Sequence, residues 1–466
     1  MPPASAANAA PRSSPPGTPA RQASISGWGG GDRVPVSLLR PVGIDALRAA
    51  IDVARSRGAI ARGLGRSYGD AAQLSEGFVL ETAHLKHFEL DPRGGTVTAE
   101  AGVTIGELLG ELVPAGWMVP VVPGTQHVTV GGAIASDIHG KNHGTSGTFG
   151  SHVRALGLLS SAGELLELEP GAGDELLEAT LGGMGLTGVV VWARIKLRPV
   201  SGPLLSVDTD RVAGLDEALS ALSAPGGPYR VAWLDLLSSR PARGVVTRAQ
   251  HVRAATGAMP KRGGATVAAR MAIPRRWPGV MLRESTVRAI NELRFRRAPR
   301  RERGHVEGLG AHMFPLDAVD RWPRLYGRRG FVQYQLVVPT GQERVLEQVV
   351  ESLRRGSVPC FLAVLKDFGV GNGAPLSFPI EGWTLALDLP RAAAGLEPSL
   401  QRCDQLVAEA GGRVYLSKDA RLAPDVVAAM YPRLDEWRAA RDRVDPDRIW
   451  RSDLAVRTGL IPAVGQ

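Results

Sequence analysis

Two stretches of this chain hold more glycine than a regular helix or strand can use: RGLGRSYGD over Arg62–Asp70 and VVPGTQHVTVGGAIASDIHGKNHGT over Val121–Thr145. Glycine weakens regular elements, so such density marks main chain that must turn tightly or come close to something else. The first stretch follows directly on a short apolar strand, Ala59–Ala61. Two such loops can offer successive backbone N–H groups to a pyrophosphate without a helix dipole, which implies a bulky dinucleotide as ligand. In the second, Gly131 and Gly132 let backbone approach while His139, Lys141 and Asn142 supply polar contacts.

Other nucleotide and catalytic signatures fail on context. GMGLTG, Gly183–Gly188, matches GxGxxG by letter, but a helical segment precedes it and the strand Val189–Leu197 follows. A dinucleotide fingerprint needs the reverse order, so that phosphate meets a helix N-terminus. No Walker A sequence, GxSxG elbow or HExxH pair occurs, which removes the usual support for phosphoryl transfer, α/β-hydrolase and zincin chemistry. Asp137, His139 and His143 could suggest a metal, but Gly140 and Gly144 argue against a helix there, and a loop lacks an organised second layer of ligand support; no metal is expected. The two cysteines, Cys360 and Cys403, make neither a disulfide framework nor a zinc cluster.

The length of 466 residues suggests two or three domains, and 44% hydrophobic with 22% charged residues is ordinary globular composition. Residues 1–26, rich in Ala, Pro and Ser, lack the apolar segment of a signal peptide and are expected to be a disordered tail. Ile44, Leu47, Ile51 and Ala54 have helical spacing; His87–Gly102 and Val153–Leu168 read as hairpins; Thr104 and Glu107 form a capping box. From about Leu204 strands and helices lengthen, and after the strand Gly412–Leu416 a loop-and-helix texture returns. The longest uncharged run, Leu112–Ser136, has too many prolines and glycines to span a bilayer.

Net charge is +9, yet Arg253–Arg303 alone carries 14 basic against three acidic residues, +11, and the rest sums to −2. That insertion is expected to be flexible. Within it Val287, Ile290, Leu293 and Phe295 lie among arginines at roughly helical spacing, as on a helix resting on an anionic membrane surface. Nucleic acid is disfavoured, because no binding motif accompanies the charge.

RGLGRSYGD, PGTQHVTVGGAIASDIHGKNHGT, GGMGLTG, FVQYQ, APLSFPIEGW, GGRVYLSKDAR and MYPRLDEW, dispersed from about Ser26 to Leu454, together resemble the vanillyl-alcohol-oxidase (PCMH-type) FAD enzymes, and within them the decaprenylphosphoryl-β-D-ribose 2-oxidase branch. The resemblance implies a two-domain α+β fold: an FAD domain over residues 27–203 completed by 411–466, and a substrate domain on an antiparallel sheet over 204–410. It implies that Arg62, Gly63, Leu64, Gly65, Arg66, Ser67 and Tyr68 hold FAD together with Gly124, Thr129, Val130, Gly131, Gly132, Ser136, Asp137, Ile138 and His139, and that Val190 and Tyr415 complete the flavin envelope. Many relatives link flavin covalently through a histidine in the first loop or a cysteine in the second; Arg66 and Thr125 stand at those positions here, so noncovalent FAD is expected.

By the same resemblance the reaction is oxidation of the ribose C2 hydroxyl of a polyprenylphosphoryl ribose to a 2-keto intermediate, the first half of an epimerisation that serves cell-wall arabinan synthesis. An NAD(P)H-dependent keto-sugar reductase would complete it. Alcohol oxidation needs a hydride acceptor and a group that takes the hydroxyl proton. Lys418 is the first catalytic candidate, with His139 and Tyr68 beside it; Lys141, Gln333, Gln335, Lys366, Thr384, Ala386 and Lys418 are expected at the sugar. Mycobacterial members carry asparagine and cysteine where this chain has Thr384 and Ala386, so a thiol there is not required by the chemistry. The expected setting is peripheral at a membrane, on either face. The rivals are a sugar-lactone or alditol oxidase on the same fold, and a non-catalytic basic module that binds a surface or nucleic acid.

Overall fold

The computed structural model describes residues 20–171, 175–238, 242–252, 264–274 and 282–461. Three sheets carry the architecture. A four-stranded sheet runs in the order Arg21–Ile25, Val34–Leu39, Phe78–Glu81, Ala59–Arg62, the last three parallel. A five-stranded antiparallel sheet follows in the order Phe88–Asp91, Thr96–Glu100, Val189–Lys196, Val153–Leu159, Leu165–Leu168. Both expected hairpins lie in it, closed by the alternation of their own strands. Leu39, Leu80, Val97, Ile105, Leu108, Ile134, Leu156, Val189 and Ile195 pack into a single core between these sheets.

The third sheet is eight-stranded and antiparallel throughout, in the order Arg301–Gly308, Leu204–Val212, Arg243–His251, Tyr229–Asp235, Leu362–Phe368, Gly382–Pro390, Phe331–Pro339, Arg413–Val414. Alternation along its central strands separates two faces. Val332, Tyr334, Leu336, Val338, Ala363, Leu365, Leu385, Leu387 and Leu389 form one core with the buried sides of three helices, Leu215–Ser223, Arg344–Arg355 and Leu396–Glu409. The opposite face carries the polar residues described below.

The C-terminal segment returns to the first sheet. Ala59 donates its N–H to Ile449 O at 2.8 Å, and Arg451 donates to Ala59 O at 2.9 Å. The strand that feeds the first glycine loop is thereby flanked by residues nearly 400 positions away. At the loop's far end Gly69 lies so close to this segment that a Cβ would sit 1.7 Å from Asp419 O.

Several expectations are corrected. The tail does not extend to residue 26: Arg21–Ile25 is a strand paired with Val34–Leu38, because a parallel sheet whose next strand is apolar and buried leaves an edge that needs a partner. Residues 1–19 lie outside the described residues. The basic insertion is not a single flexible loop. Residues 253–263 and 275–281 lie outside the described residues, but Glu284–Arg297 is a 14-residue helix and Arg301–Gly308 is the edge strand of the large sheet. Nor does that helix rest on its whole apolar set: Val287 is buried, Asn291 donates to Asp235 Oδ1 at 2.9 Å, and Phe295 lies beneath the guanidinium groups of Arg211 and Arg243. Only Ile290 and Leu293 remain exposed. His143–Ser146 forms one helical turn despite Gly144.

Candidate functional site

The first loop is held at both ends and open in the middle. At its start Arg62 O accepts from Thr82 N–H at 3.0 Å, and at its end Ser67 O accepts from Trp28 N–H and Tyr68 N–H donates to Ser417 O at 3.0 Å. Between them the consecutive N–H groups of Leu64, Gly65 and Arg66, with that of Ser67, find no acceptor among the described residues. Unpaired main-chain donors in series are what an anion-binding nest requires. Gly65 has φ +62°, a conformation that reverses the chain here, and Gly63 lies against Thr129, where a Cβ would come within 2.3 Å of Oγ1. The two glycine loops therefore touch, and glycine is what lets them. The Arg62 guanidinium is committed to Ala72 O and Ser26 O, whereas Arg66 stacks on Trp28 at 3.8 Å with Nε buried and unpartnered.

The second loop differs from its expected role. Val130 N–H is taken by Val103 O, Gly131 N–H by Ala101 O, and Gly132 N–H by Thr129 Oγ1. These groups open a six-residue helix, Val130–Ala135, and are not free to meet phosphate. What this loop can supply is close approach; at Gly124 a Cβ would meet nothing within 4 Å. Asp137 is likewise spent inside the protein. Its carboxylate accepts from Gly150 N–H, Asn372 Nδ2 and Ser377 Oγ at 2.9, 2.8 and 2.6 Å, and so ties the Asn372–Ser377 segment to the loop. Ile138 and Val190 are buried in the core between the sheets. Ser136 contributes its carbonyl, which accepts from Tyr415 OH at 2.7 Å.

His139 sits in an aromatic cage of Phe368, Phe378 and Tyr415, with centroids at 4.8, 5.6 and 5.2 Å. Burial first, and then the neighbouring Lys366 and Lys418, hold its imidazole neutral, well below the usual histidine range. Gln335 Nε2 lies 3.0 Å from His139 Nε2 and 2.9 Å from Thr384 Oγ1. With the amide donating, the imidazole proton sits on Nδ1, which is buried without a partner. A histidine so disfavoured as a cation is a poor base. His143 points elsewhere, accepting from Gly369 N–H at 3.1 Å.

Strand register gathers the remaining candidates. Gln333 and Gln335 face Asp388 and Ala386, and Lys366 faces Thr384, so these side chains share the sheet face opposite the helices. Asp388 was not singled out from the sequence. Its signal is the alternation Thr384, Ala386, Asp388 within an otherwise leucine-rich strand, three non-leucine positions two apart. Asp388 is buried, its Oδ1 accepting from Gln333 Nε2 at 2.5 Å and its Oδ2 without a partner. Burial raises its carboxyl to about 7 against the opposing pull of Gln333 and Lys418. The phenol of Tyr68 is pushed up by burial, then by Asp388, and remains a hydrogen-bond donor, not a base.

Lysines supply the positive charge on this face. Lys418 lies 5.2 Å over the Tyr68 ring and is lowered by burial to about 8 while Asp388 opposes the shift. Lys366 falls further, to about 7, through burial and then Lys418 and Lys141. Lys141 is lowered to about 8 by burial, and its ammonium donates to His312 O, so it braces the helix Leu309–Met313 and does not reach out freely.

Residues 35–169 match the FAD binding domain family. The chain is 38% identical to the decaprenylphosphoryl-β-D-ribose oxidase of Mycolicibacterium smegmatis over 94% of its own length and 97% of the relative's. It is 39% identical to an uncharacterised protein of Streptomyces coelicolor over 77% of this chain and all of the relative. An L-gulono-1,4-lactone dehydrogenase of Mycobacterium tuberculosis is 23% identical over 91% of this chain. Four loose backbone donors, a glycine contact between two loops and a polar sheet face fit an extended dinucleotide with a ring at its end. The chain belongs to the decaprenylphosphoryl-β-D-ribose oxidase family and is an FAD-dependent oxidoreductase acting on a CH–OH group.

Proposed function

We propose that the protein oxidises the C2 hydroxyl of a polyprenylphosphoryl ribose to the 2-keto sugar, with dissociable FAD. The observation that carries this reading is the pairing of Lys418 with Lys366 on one sheet face, held down to about 8 and about 7. When bound, FAD supplies the hydride acceptor. At neutral pH Lys418 is mostly an ammonium ion, whereas Lys366 is about half neutral. Both are lowered first by burial, but Asp388 favours the charged form of Lys418 whereas Lys418 and Lys141 favour the neutral form of Lys366, so acid and base work can be divided between them. Lys366 can take the hydroxyl proton, and Lys418 can stabilise negative charge as electrons leave the sugar. Tyr68 donates a hydrogen bond, while Gln333 and Gln335, each with a buried unpaired Oε1, orient hydroxyl groups. Thr384 holds Gln335, and Ala386 leaves room. The FAD phosphates fall to the loop Arg62–Tyr68.

Arg66 and Thr125, which stand at the linkage positions, lack the usual means of covalent flavin attachment, and Thr125 Oγ1 donates to Asp317 at 2.8 Å. Denaturation of the yellow protein should release all its flavin into the filtrate; colour that stays with the precipitate rules out dissociable FAD. In the native enzyme a polyprenylphosphoryl ribose with a shortened prenyl chain should bleach the flavin absorbance, and L-gulono-1,4-lactone should not. The reverse result would assign the chain to lactone chemistry.

A lipid-linked sugar calls for a surface that approaches lipid. Among the described residues no helix is long and apolar enough to cross a membrane. The helix Glu284–Arg297 instead exposes Ile290 and Leu293, 56% and 49% accessible, beside Arg288, Arg296 and Arg297, and Val306 lies exposed on the following strand. Such a surface suits peripheral contact with anionic head groups, each arginine adding about 1 kcal/mol near the surface. Arg296→Glu with Arg297→Glu should lower co-flotation with phosphatidylglycerol vesicles at least tenfold and leave flavin content unchanged. Equal flotation refutes the contact. A keto-sugar reductase using NAD(P)H would consume the product.

A further inference from the structure

The helix Glu284–Arg297 crosses the same sheet face that carries the candidate site. Asn291 reaches Asp235 at 2.9 Å, and the Arg294 guanidinium lies 4.4 Å over the ring of Trp233. Both partners stand on Tyr229–Asp235, where Ala232 and Leu234 turn to the helix-covered core and Trp233 and Asp235 to the opposite face. Pairing carries Trp233 straight into the site: it lies opposite Val364, Val364 opposite Ala386, and Ala386 opposite Gln335. Residues directly opposite one another share one face of a sheet. The row from Trp233 to Gln335 is uncharged, and two strand spacings, about 10 Å, separate Trp233 from Ala386.

Arg294 is placed unlike its neighbours on the helix. Arg288 is paired with Glu284 and Arg296 with Glu292, both carboxylates of the helix itself. Among the described residues no carboxylate stands at ion-pair distance from Arg294, and the residue is exposed although the indole beneath it is only 6% accessible. A guanidinium stacked on an aromatic face keeps its N–H edge free, an arrangement suited to two parallel bonds to a phosphate. Ile290, Leu293 and Arg294 are neighbours at i, i+3 and i+4, so two exposed apolar side chains adjoin that guanidinium on the helix surface.

We propose that Arg294, on its Trp233 platform, binds the phosphodiester of the lipid-linked sugar. The ribose then extends inward along the uncharged row toward Gln335, and the prenyl chain leaves over Leu293 and Ile290. The inference rests on the reading that the substrate is a polyprenylphosphoryl ribose. The phosphodiester keeps its negative charge throughout the oxidation, so Arg294 holds substrate and transition state equally and acts on KM rather than on kcat. The head group of a membrane phospholipid offers the same phosphodiester chemistry, and the experiment separates the two sources.

The test compares Arg294→Met, which keeps an aliphatic stem on the indole, with wild type, both loaded with FAD. With farnesylphosphoryl ribose KM should rise about tenfold or more, the loss of a charge-assisted bond, while kcat and flavin content hold within about twofold. With farnesyl β-D-ribofuranoside, which lacks the phosphate, the two enzymes should share one KM. Arg294→Lys, which restores the charge without the planar fork, should recover part of the loss. A KM that stays unchanged in Arg294→Met, or that rises equally for both ribosides, overturns the proposal. Calorimetric binding of farnesyl methyl phosphate, a phosphodiester without a sugar, needs no turnover: its Kd should rise about tenfold or more in Arg294→Met, and an unchanged Kd overturns the proposal. Co-flotation with phosphatidylglycerol vesicles should be the same for Arg294→Met and wild type; weaker flotation together with an unchanged Kd assigns Arg294 to the lipid head group and overturns the proposal. If wild type oxidises neither riboside, the reading of the substrate fails, whereas the Kd of farnesyl methyl phosphate still decides whether Arg294 binds the phosphodiester.

Discussion

Lys418→Met is expected to slow flavin reduction by a polyprenylphosphoryl ribose by about 10²- to 10³-fold, the usual loss when one preorganised group that meets developing charge is removed. FAD should stay bound, because the proposed hold on its phosphates is the free main-chain donors of the first loop and not this side chain. The sign of the pH dependence separates the roles of the two lysines. A lysine held at about 8 is charged below that pH, so wild-type rates should fall as pH rises through about 8. Lys366 must be neutral to accept a proton, so rates should rise through about 7. The result is a narrow bell, measured by stopped-flow bleaching of the flavin. In Lys418→Met the alkaline limb should vanish. The acid limb should move upward, because Lys418 is one of the cations that lower Lys366. A variant that keeps the alkaline limb would remove Lys418 from the reaction.

The largest stability loss is expected at Asp445→Ala. Arg441 and Asp445 are both fully buried and joined at 2.7 Å; Asp445 also accepts from the N–H groups of Ile449 and Trp450 at 2.8 and 2.9 Å, and Arg441 donates to Trp450 O at 3.1 Å. Asp445→Ala leaves Arg441 with Asp442 as its one carboxylate, joined at 2.6 Å nearer the surface, and strips the Ile449 and Trp450 N–H groups of their acceptor, a loss of about 3–5 kcal/mol. Urea denaturation followed by tryptophan fluorescence should show it. The consequence reaches the cofactor, since Ile449 and Arg451 bond to Ala59 at the root of the first glycine loop. FAD affinity should therefore fall together with stability. A loss under about 1 kcal/mol would mean that the residues around 449–451 are held by packing alone.

Local physics made much of this legible beforehand. Thr104 and Glu107 form the full capping box, with reciprocal bonds at 3.1 and 2.7 Å, because both partners lie within one turn. The glycine loops were recognisable because positive φ and close approach leave few alternatives to glycine. The same logic failed for the Val130–Gly132 amides: glycine there serves a contact with Ala101, 3.0 Å from a Cβ at Gly131, and a capped helix start rather than an anion. The insertion misled for a related reason. Its charge dominates composition, whereas the helix docks through Val287, Asn291 and Phe295, and the partners of the last two, Asp235, Arg211 and Arg243, lie more than 50 positions away.

The sequence by itself determined where the chain must bend, where helices and hairpins start, and that the main chain of Arg62–Tyr68 would lie open in a glycine-rich loop, since each of these depends on neighbours within a few residues. Only the tertiary structure decided the chemistry of the sheet face. Gln335 meets Thr384 at 49 positions' remove and His139 at 196, and the unpaired oxygen of Asp388 exists only because three strands and a loop close over it. Desolvation is a property of the assembled surroundings, so the same lysine codon can specify a solvated charge or, as at Lys366, an amine half neutral near pH 7.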